Sequence, residues 1–244
     1  MSNTDLFARQ HAIPEIGEEG QRKLAESSVL VIGAGGLGAP VIAYLACAGV
    51  GTIVIADGDE VEFTNLNRQF LHGIDDVGKN KARSAAESAG SINKVSKLVP
   101  IESFLEGDEL AALVSAADCV VNCVDSYAVR TEVARACLLA RVPLVEAGVS
   151  DLYGWVLCID NEHACLECAG LRDIVEESSP AVLGASIGVI GSVQALECIK
   201  ILLDSPDVGF GQLVNFDGRH LEIESVTLPL DTNCEAHRLA RDTF

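Results

Sequence analysis

Residues 27–40 read SSVLVIGAGGLGAP, a short, largely β-branched run that meets a glycine-rich turn. A helical pattern follows over residues 41–49, and residues 52–57, TIVIAD, form a second apolar run that ends in an acid. These apolar runs are too short and too continuous for surface helices, so they indicate buried strands on either side of a helix. The stretch therefore predicts a βαβ unit with two parallel strands.

Strand and helix patterns continue to alternate as far as Gly148. The apolar segments in this part of the chain cover residues 96–104, 118–125 and 142–148, and the helical ones cover residues 79–93, 108–116 and 126–142. Residues 58–80 are polar without a clear period and are expected to form loops with short helices. Such alternation predicts an α/β fold with a doubly wound, mostly parallel, Rossmann-like sheet.

The pattern changes after Gly148. Three segments are typical of antiparallel strands, and one long, mostly apolar helix lies between them: residues 154–160, 211–217 and 221–228, and residues 187–204. No internal repeat or inter-domain linker interrupts the sequence. We therefore expect one domain over residues 1–244, in which the antiparallel strands continue the sheet.

Acidic residues outnumber basic ones, with 36 Asp and Glu against 17 Lys and Arg and a formal net charge of −19. Nucleic acids and anionic membrane surfaces both require basic residues, so neither is an expected partner. No apolar run reaches the ~18 residues of a spanning helix. The first residues, MSNTDLFARQH, lack the basic and then apolar layout of a signal peptide. We predict a cytoplasmic protein.

Nine cysteines without an export signal argue against a disulfide framework. Most of them lie in apolar stretches and are predicted to be small buried residues: Cys47, Cys119, Cys123, Cys137, Cys158 and Cys198. Cys165, Cys168 and Cys234 have polar surroundings, which indicate another role.

The glycine turn predicts a phosphate site. Its glycines, at positions 33, 35, 36 and 38, let the backbone approach a phosphate at a helix N-terminus. Asp57 closes the second strand 19 residues after Gly38, where a carboxylate accepts hydrogen bonds from ribose hydroxyls. The alternative is a tight turn without a ligand. The predicted set is Gly33, Gly35, Gly36, Gly38 and Asp57.

The following loop favours a triphosphate over NAD. It supplies amides and cations within a short distance of the ribose acid: Asn65, Asn67, Arg68, Gln69, Lys79 and Lys81. Arginine holds phosphate oxygens bidentately and lysine acts as a point charge, although either lysine alone is also compatible with a solvated helix face. Asp125 ends another core strand, where it would either bind Mg²⁺ on the phosphates or cap the next helix.

Two short pairs, Cys165-x-x-Cys168 and Cys234-x-x-His237, are separated by 65 residues. Four nitrogen and sulfur ligands suit tetrahedral Zn²⁺, and a full ligand set leaves no position for a catalytic water, so the predicted ion is structural. The alternative is a redox CxxC with an unrelated terminal cysteine. His163 lies nearby and would be a competing ligand.

The motifs together resemble one family. They occur in its order and spacing along essentially the whole chain: ARQ (8–10), GAGGLG (33–38), ADGD (56–59), TNLNRQF (64–70), VGKNKA (77–82), NCVDSYAVR (122–130) and the apolar helix starting at residue 187. The sequence is similar to the ubiquitin-activating-enzyme-like adenylyltransferases of the MoeB/ThiF/HesA family.

The resemblance implies that Mg-ATP is used to adenylate the C-terminal glycine carboxylate of a ubiquitin-like sulfur carrier ending in Gly-Gly. The acyl adenylate is then converted to a thiocarboxylate for the biosynthesis of sulfur-containing cofactors. The resemblance also divides the chain into an N-terminal helical arm (1–27), a nucleotide-binding part (28–148) and a carrier-binding and zinc part (149–244). The carrier and its pathway, molybdopterin, thiamin or a secondary metabolite, stay open.

Site residues follow from the same resemblance. Gly36 and Asp57 would contact ATP, the TNLNR segment and Lys81 would hold phosphates, and Asp125 would be the essential acid near Mg²⁺. Arg9 matches an arginine that reaches the ATP site of a neighbouring subunit, which implies a homodimer. The implied catalytic residues are Arg9, Arg68, Lys81 and Asp125, and the motifs add Asp59, Asn65, Asn67, Gln69 and Ser126 to the nucleotide site. Ser126 stands where relatives commonly have Asn, and His237 where they usually have Cys.

Residues 171–186 correspond to a crossover loop in which some relatives carry a cysteine that links covalently to the carrier, and this chain has none there. We therefore expect the reaction to stop at the acyl adenylate, or a separate sulfur-donor protein to act. Other functions stay open: adenylation of another carboxylate or a peptide C-terminus, a non-catalytic partner-binding scaffold, or an NAD-dependent oxidoreductase.

Overall fold

The computed structural model describes residues 6–171 and 181–242. The strands in these residues are β1 Ser28–Ile32, β2 Thr52–Ala56, β3 Lys97–Ile101, β4 Cys119–Asn122, β5 Leu144–Ser150, β6 Tyr153–Ile159, β7 Gln212–Asp217 and β8 Glu222–Thr227. The helices are α1 Ala8–His11, α2 Gly17–Glu26, α3 Gly38–Ala48, α4 Lys81–Ile92, α5 Gly107–Ser115, α6 Tyr127–Ala140, α7 Gly184–Leu202 and α8 Glu235–Asp242.

The strands form one eight-stranded sheet in the order β3-β2-β1-β4-β5-β6-β7-β8. The first five in this order are parallel, and β6, β7 and β8 continue the sheet as antiparallel strands. The predicted α/β class, the doubly wound parallel part and its antiparallel continuation are confirmed.

Helices cover both faces of the sheet, because side chains alternate along each strand. On β1, Val29 and Val31 belong to the core that holds α3, α4 and α7. Leu30 and Ile32 point to the opposite core, which holds α5, α6 and α8. A strand buried on both faces appears in the sequence as a continuous apolar run, which is why the fold was predictable.

The N-terminal arm is anchored to the far end of α3. Phe7 is buried against Gly49, where a Cβ would lie 2.6 Å from the Phe7 ring. The Ala48 carbonyl accepts hydrogen bonds from the side-chain amides of Gln10 (3.1 Å) and Gln21 (2.9 Å). The arm therefore has a fixed position at the end of α3 opposite the glycine turn.

Helix α7 is long and apolar enough to cross a membrane, with 19 residues and a mean hydropathy of 1.5. Half of it is buried within the protein, and it packs on α3, β4, β5 and β6. Ile187, Ile190 and Leu202 contribute to the core on that face. This burial is the behaviour of a core helix.

The structure differs from the sequence-based expectations in local details. Cys47 is exposed rather than buried, because its position on α3 faces outward, whereas the other five cysteines predicted to be buried are so. Residues 58–80 contain two short 3₁₀ helices, Phe63–Asn65 and Ile74–Asp76, as expected for that segment. Residues 172–180 of the segment without a cysteine lie outside the described residues.

Candidate functional site

The candidate site is a cleft at the carboxyl ends of β1, β2 and β4. Strands β2 and β3 lie on one side of β1, and β4 and β5 lie on the other. Doubly wound sheets bind ligands at such a switch point. The cleft has a volume of about 410 Å³. Most of the predicted nucleotide-binding residues line it: Gly33, Gly35, Gly36, Asp57, Asp59, Arg68, Gln69, Lys81, Asp125 and Ser126.

The glycine turn joins β1 to α3. Gly33 has φ of 96°, and a Cβ there would lie 2.9 Å from the Cys123 carbonyl oxygen. A Cβ on Gly38 would lie only 2.1 Å from the Gly33 carbonyl oxygen. Both positions therefore require glycine, and Gly38 acts in packing the turn against α3. Helix α3 begins beside the cleft, where its N-terminus favours negative charge.

His72 supports the turn from outside the cleft. Its ring nitrogens lie 2.9 Å from the Ala34 carbonyl oxygen and 2.8 Å from the Ser84 hydroxyl. Burial lowers the pKa of His72, so the neutral ring donates to Ala34 through Nε2. His72 thus positions the glycine turn.

Asp57 is buried at the end of β2. Its carboxylate accepts hydrogen bonds from the backbone N–H groups of Ala34 (2.7 Å) and Asp59 (2.9 Å). Burial raises the pKa of Asp57, while these backbone bonds and the charge of Lys81 act in the opposite direction. Each carboxylate oxygen keeps one lone pair for a further donor, which is what a ribose hydroxyl requires.

The cations of the cleft are already held by acceptors of this chain. Lys81 Nζ lies 2.8 Å from Asp59 Oδ2, and its side chain is only 12% exposed. Arg68 Nη1 donates to the Thr64 carbonyl and to Asn67 Oδ1, both at 3.0 Å. Arriving phosphates would compete with these acceptors for the two cations.

Four residues that were predicted to bind the nucleotide lie outside the residues that line the cleft: Gly38, Asn65, Asn67 and Lys79. Lys79 Nζ instead lies 2.8 Å from Asp76 Oδ1. Asn65 is buried, and its side chain accepts from the Glu62 N–H at 3.0 Å, which caps the first 3₁₀ helix. Asn67 orients Arg68, and Gly38 packs the turn. Their sequence motif therefore reflects the shape of the loop as well as its ligand.

Asp125 lies between β4 and α6, with its side chain exposed to the cleft. The residue at the N-cap of α6 is Ser126, not Asp125. The alternative in which Asp125 caps that helix is therefore wrong, and its carboxylate stays available to a ligand. Arg9 is exposed on α1, outside the residues that line the cleft of its own chain.

The predicted metal ligands come together in space. The ligand atoms of Cys165, Cys168, Cys234 and His237 all lie within 4.8 Å of one another. Cys165 Sγ is 3.6 Å from Cys234 Sγ and 3.8 Å from Cys168 Sγ. Zn–S bonds of about 2.3 Å in a tetrahedron place sulfur atoms ~3.8 Å apart, so the cluster has the size that zinc requires.

The chemistry of this cluster also fits a metal ion. Burial raises the pKa of the Cys165 and Cys234 thiols and lowers the pKa of His237. His237 Nε2 is buried and finds no hydrogen-bond partner in residues 6–171 and 181–242. A cation would stabilise the thiolates and use that lone pair. His163 instead lies against Asp160, 2.9 Å away, and stacks on Phe210.

A model of the ThiF family matches residues 7–236. The chain belongs to the ThiF family. Its relatives include the sulfur carrier protein ThiS adenylyltransferase of Escherichia coli K12, 35% identical over 93% of this chain and 92% of the relative. The SAMP-activating enzyme E1 of Haloferax volcanii is 34% identical over 94% of this chain and 87% of the relative.

Further comparisons agree with this membership. Adenylyltransferase and sulfurtransferase MOCS3 of Aedes aegypti is 39% identical over 96% of this chain, which spans only 56% of MOCS3. Among solved structures, E. coli MccB with ATP has a TM-score of 0.83 and 25% identity over 95% of this chain and 74% of MccB. The resemblance predicted from the motifs is confirmed, and the named relatives are adenylyltransferases.

One cleft residue of this ThiF-family chain was missed at the sequence level. Phe104 follows β3, lines the cleft and is 65% exposed. A Cβ on Gly58 would lie 2.6 Å from the Phe104 ring, so the ring covers the residue next to Asp57. An aromatic residue three positions beyond the end of β3 was the available signal.

A buried ion pair was also missed. Arg130 lines the cleft, and its Nη1 lies 2.8 Å from Glu146 Oε1, with Glu146 completely buried. Asn122 Nδ2 donates to the other Glu146 oxygen at 2.8 Å. The signal was a single charged residue, Glu146, inside the apolar run 142–148.

Proposed function

We propose that this chain uses Mg-ATP to adenylate the C-terminal glycine carboxylate of a ubiquitin-like sulfur carrier, which gives an acyl adenylate for thiocarboxylate formation in cofactor biosynthesis. The observation that carries the proposal is one cleft of a ThiF-family chain that contains the glycine turn, Asp57, the cations Arg68 and Lys81, and Asp125. The named partners of two relatives, ThiS and SAMP, support a carrier protein as substrate.

The nucleotide would lie along the strand ends. Asp57 would accept hydrogen bonds from the ribose hydroxyls with its remaining lone pairs. The Phe104 ring, which lies beside Asp57, would stack on the adenine base. The phosphates would extend over the glycine turn towards Lys81 and Arg68. Asp125 would hold Mg²⁺, which neutralises phosphate charge when it is bound.

The reaction requires no proton to be removed, since a C-terminal carboxylate with a pKa near ~3.5 is ionised at neutral pH. One carboxylate oxygen attacks the α-phosphorus, the bond to the β-phosphate oxygen breaks, and pyrophosphate leaves. The difficulty is the repulsion between two anions. Lys81 and Arg68 would reduce that repulsion and hold the departing pyrophosphate, so catalysis is positioning plus electrostatics.

The proposal includes a structural Zn²⁺ held by Cys165, Cys168, Cys234 and His237. All four positions belong to protein side chains, so the ion would supply a cross-link between the segment after β6 and helix α8. The division of the chain into arm, nucleotide part, and carrier and zinc part belongs to the same proposal, as does a cytoplasmic location.

A homodimer completes the proposal, with Arg9 reaching the cleft of the partner copy. Large exposed apolar side chains in the loop after β2 and on α7 support an interface there: Phe63, Phe70, Ile74, Val189 and Leu196. The loop and α7 adjoin, since a Cβ on Gly184 would lie 3.0 Å from the Asn67 carbonyl oxygen.

The test is ATP–pyrophosphate exchange with a panel of candidate substrates. ThiS, SAMP and a free peptide ending in Gly-Gly would each be mixed with the protein, Mg-ATP and labelled pyrophosphate. We expect exchange with a carrier protein and much less with the free peptide. Exchange with the peptide alone would favour the alternative of a peptide C-terminus, and binding of NAD in place of ATP would overturn the proposal.

A further inference from the structure

Glu146 and Arg130 form an ion pair that stability does not explain. Glu146 is 0% exposed and Arg130 is 4% exposed. The attraction between two buried charges offsets poorly the hydration free energy that both lose on burial. Replacing such a pair by apolar residues is often neutral or stabilising. A carboxylate inside a core strand of the sheet therefore indicates a use other than stability.

The surroundings fix the orientation of the Arg130 guanidinium. Its Nη1 donates to Glu146 Oε1 and to the Ala147 carbonyl oxygen. The rings of Tyr127 and Trp155 each lie 5.4 Å from its central carbon. Glu146 is itself fixed by the Ala147 N–H at 3.1 Å and by the side-chain amide of Asn122. The arginine is therefore held rigidly in the cleft wall.

Arg130 is separated from the cations expected to hold the triphosphate. Arg68 comes from the loop after β2 and Lys81 from the start of α4, on one side of the cleft. Arg130 comes from α6, and near it in the chain order the cleft lining includes Val149 on β5 and, later in the chain, Val182. The proposed function leaves this side to the acyl substrate, since the cations on the other side would hold the triphosphate.

The pairing also changes what Arg130 offers to a ligand. An unpaired guanidinium beside a triphosphate would be captured by the stronger anion, because Coulomb attraction grows with charge. A guanidinium neutralised by Glu146 keeps its directional N–H groups but carries no net charge as a pair. Such a group favours a ligand with matching hydrogen-bond geometry over one with more charge.

We infer that Glu146 is a positioning residue, which holds Arg130 as a charge-compensated donor for the carboxylate end of the acyl substrate and keeps it from the triphosphate. The inference rests on the proposed function for the identity of the acyl substrate. Glu146 does not contact substrate; it acts through Arg130.

Protonation provides a second way to observe this role. Burial raises the pKa of Glu146 to about 7, although Arg130 and Asn122 act in the opposite direction. The charged or titratable groups that face it are Arg130 and the thiols of Cys123 and Cys137, and burial keeps both thiols protonated by raising their pKa values. As the pH falls through this range, Glu146 takes up a proton and the charge of Arg130 is uncovered.

The experiment compares Glu146→Gln with wild type, and uses Glu197→Gln as the matched control. Glu197 is also a largely buried carboxylate paired with a cation, Lys200 at 2.6 Å, and it lies outside the cleft. Mg-ATP affinity is measured by calorimetry without carrier, and the KM for ThiS is measured by pyrophosphate exchange. We expect Glu146→Gln to bind Mg-ATP about tenfold more tightly and to show a raised KM for ThiS.

A merely structural role for Glu146 would not produce tighter Mg-ATP binding together with a raised KM for ThiS. Equal weakening of both constants with a lowered melting temperature, or no change in either, would overturn the inference. The pH dependence of the wild-type protein provides a further test. The affinity of wild type for Mg-ATP should rise between about pH 8 and pH 6 more steeply than that of Glu146→Gln. SAMP replaces ThiS where ThiS is not turned over; if neither carrier is turned over, the carrier assignment fails, and Mg-ATP affinity still decides the role of Glu146.

Discussion

The nucleotide cleft and the Cys₃His cluster are prepared for their ligands in opposite ways. In the cleft, Asp59 holds Lys81, and Thr64 and Asn67 hold Arg68. An arriving ligand therefore replaces an acceptor that each cation already has. In the cluster of Cys165, Cys168, Cys234 and His237, the Cys165 and Cys234 thiols are buried, and His237 Nε2 finds no hydrogen-bond partner in the described part of the chain. The first arrangement suits a ligand that comes and goes, and the second suits an ion that stays.

This difference predicts that variants of the two sites fail in different measurements. Cleft variants should lose activity and keep the fold, since the charged groups there already have partners within the chain. Cluster variants should lose the fold, since the proposed ion would be what holds these ligand atoms together.

The largest expected effect is the loss of folding in Cys234→Ala. Structural zinc contributes about 10–16 kcal/mol of apparent binding free energy in small peptides, comparable with the stability of a whole domain. We expect one zinc per chain in wild type by elemental analysis, and its loss together with the thermal transition in the variant. The control is Cys137→Ala, a buried cysteine on α6 outside the cluster, which should keep the metal. A metal-free wild type with unchanged stability would contradict the comparison.

The next effect is on catalysis. Asp125→Ala should reduce pyrophosphate exchange by about 10²–10³-fold, the usual loss when one electrostatic partner of the reacting phosphate is removed. Its melting temperature should stay that of wild type, because the Asp125 side chain is exposed. Asp108→Ala, an exposed acid in the first turn of α5, is the control and should keep full activity. Near-normal exchange in Asp125→Ala would remove the acid from the mechanism.

A third prediction asks whether the cleft is complete within one chain. Arg9→Ala and Asp125→Ala chains should each be inactive, and their mixture should recover up to about a quarter of wild-type activity, because half of randomly mixed dimers contain one intact site. Arg22→Ala, an exposed arginine on α2, should stay active alone. No recovery while subunits demonstrably exchange would mean that Arg9 does not act across an interface.

The smallest expected effect concerns binding of the adenine base of ATP. Phe104→Ala should raise the KM for ATP about tenfold, the usual contribution of one base–aromatic stacking contact. Phe104→Tyr should keep the wild-type KM, because it retains the ring. An unchanged KM in Phe104→Ala would show that the base does not stack there.

Periodicity was enough to predict the sheet and most helices. Continuous apolar runs such as VLVI at β1 are produced by burial on both faces, and this signal does not depend on distant residues. Helix α8 was not predicted, because its sequence, EAHRLARD, is mostly polar; among residues 235–241 the buried ones are Ala236, His237 and Ala240.

The charged groups of the cleft were predictable by type and not by partner. The glycine turn, Asp57 and Asp125 follow strand ends, and strand ends can be located from the sequence. The pairing of Lys81 with Asp59, 22 residues apart, and of Arg130 with Glu146, 16 residues apart, arises only when the loops and α6 are in place. Such pairs are set by tertiary packing, which local patterns do not encode.

Helix α3 also sets a length in the molecule. One end, at Gly38, lies beside the cleft, and the other, at Ala48, holds the arm through Gln10 and Gln21. Eleven residues at ~1.5 Å each separate these ends by roughly 16 Å. The arm that carries Arg9 therefore stands at a constant distance from its own cleft, so α3 behaves as a spacer: it directs the arginine outwards and fixes how far apart two clefts joined through their arms would be.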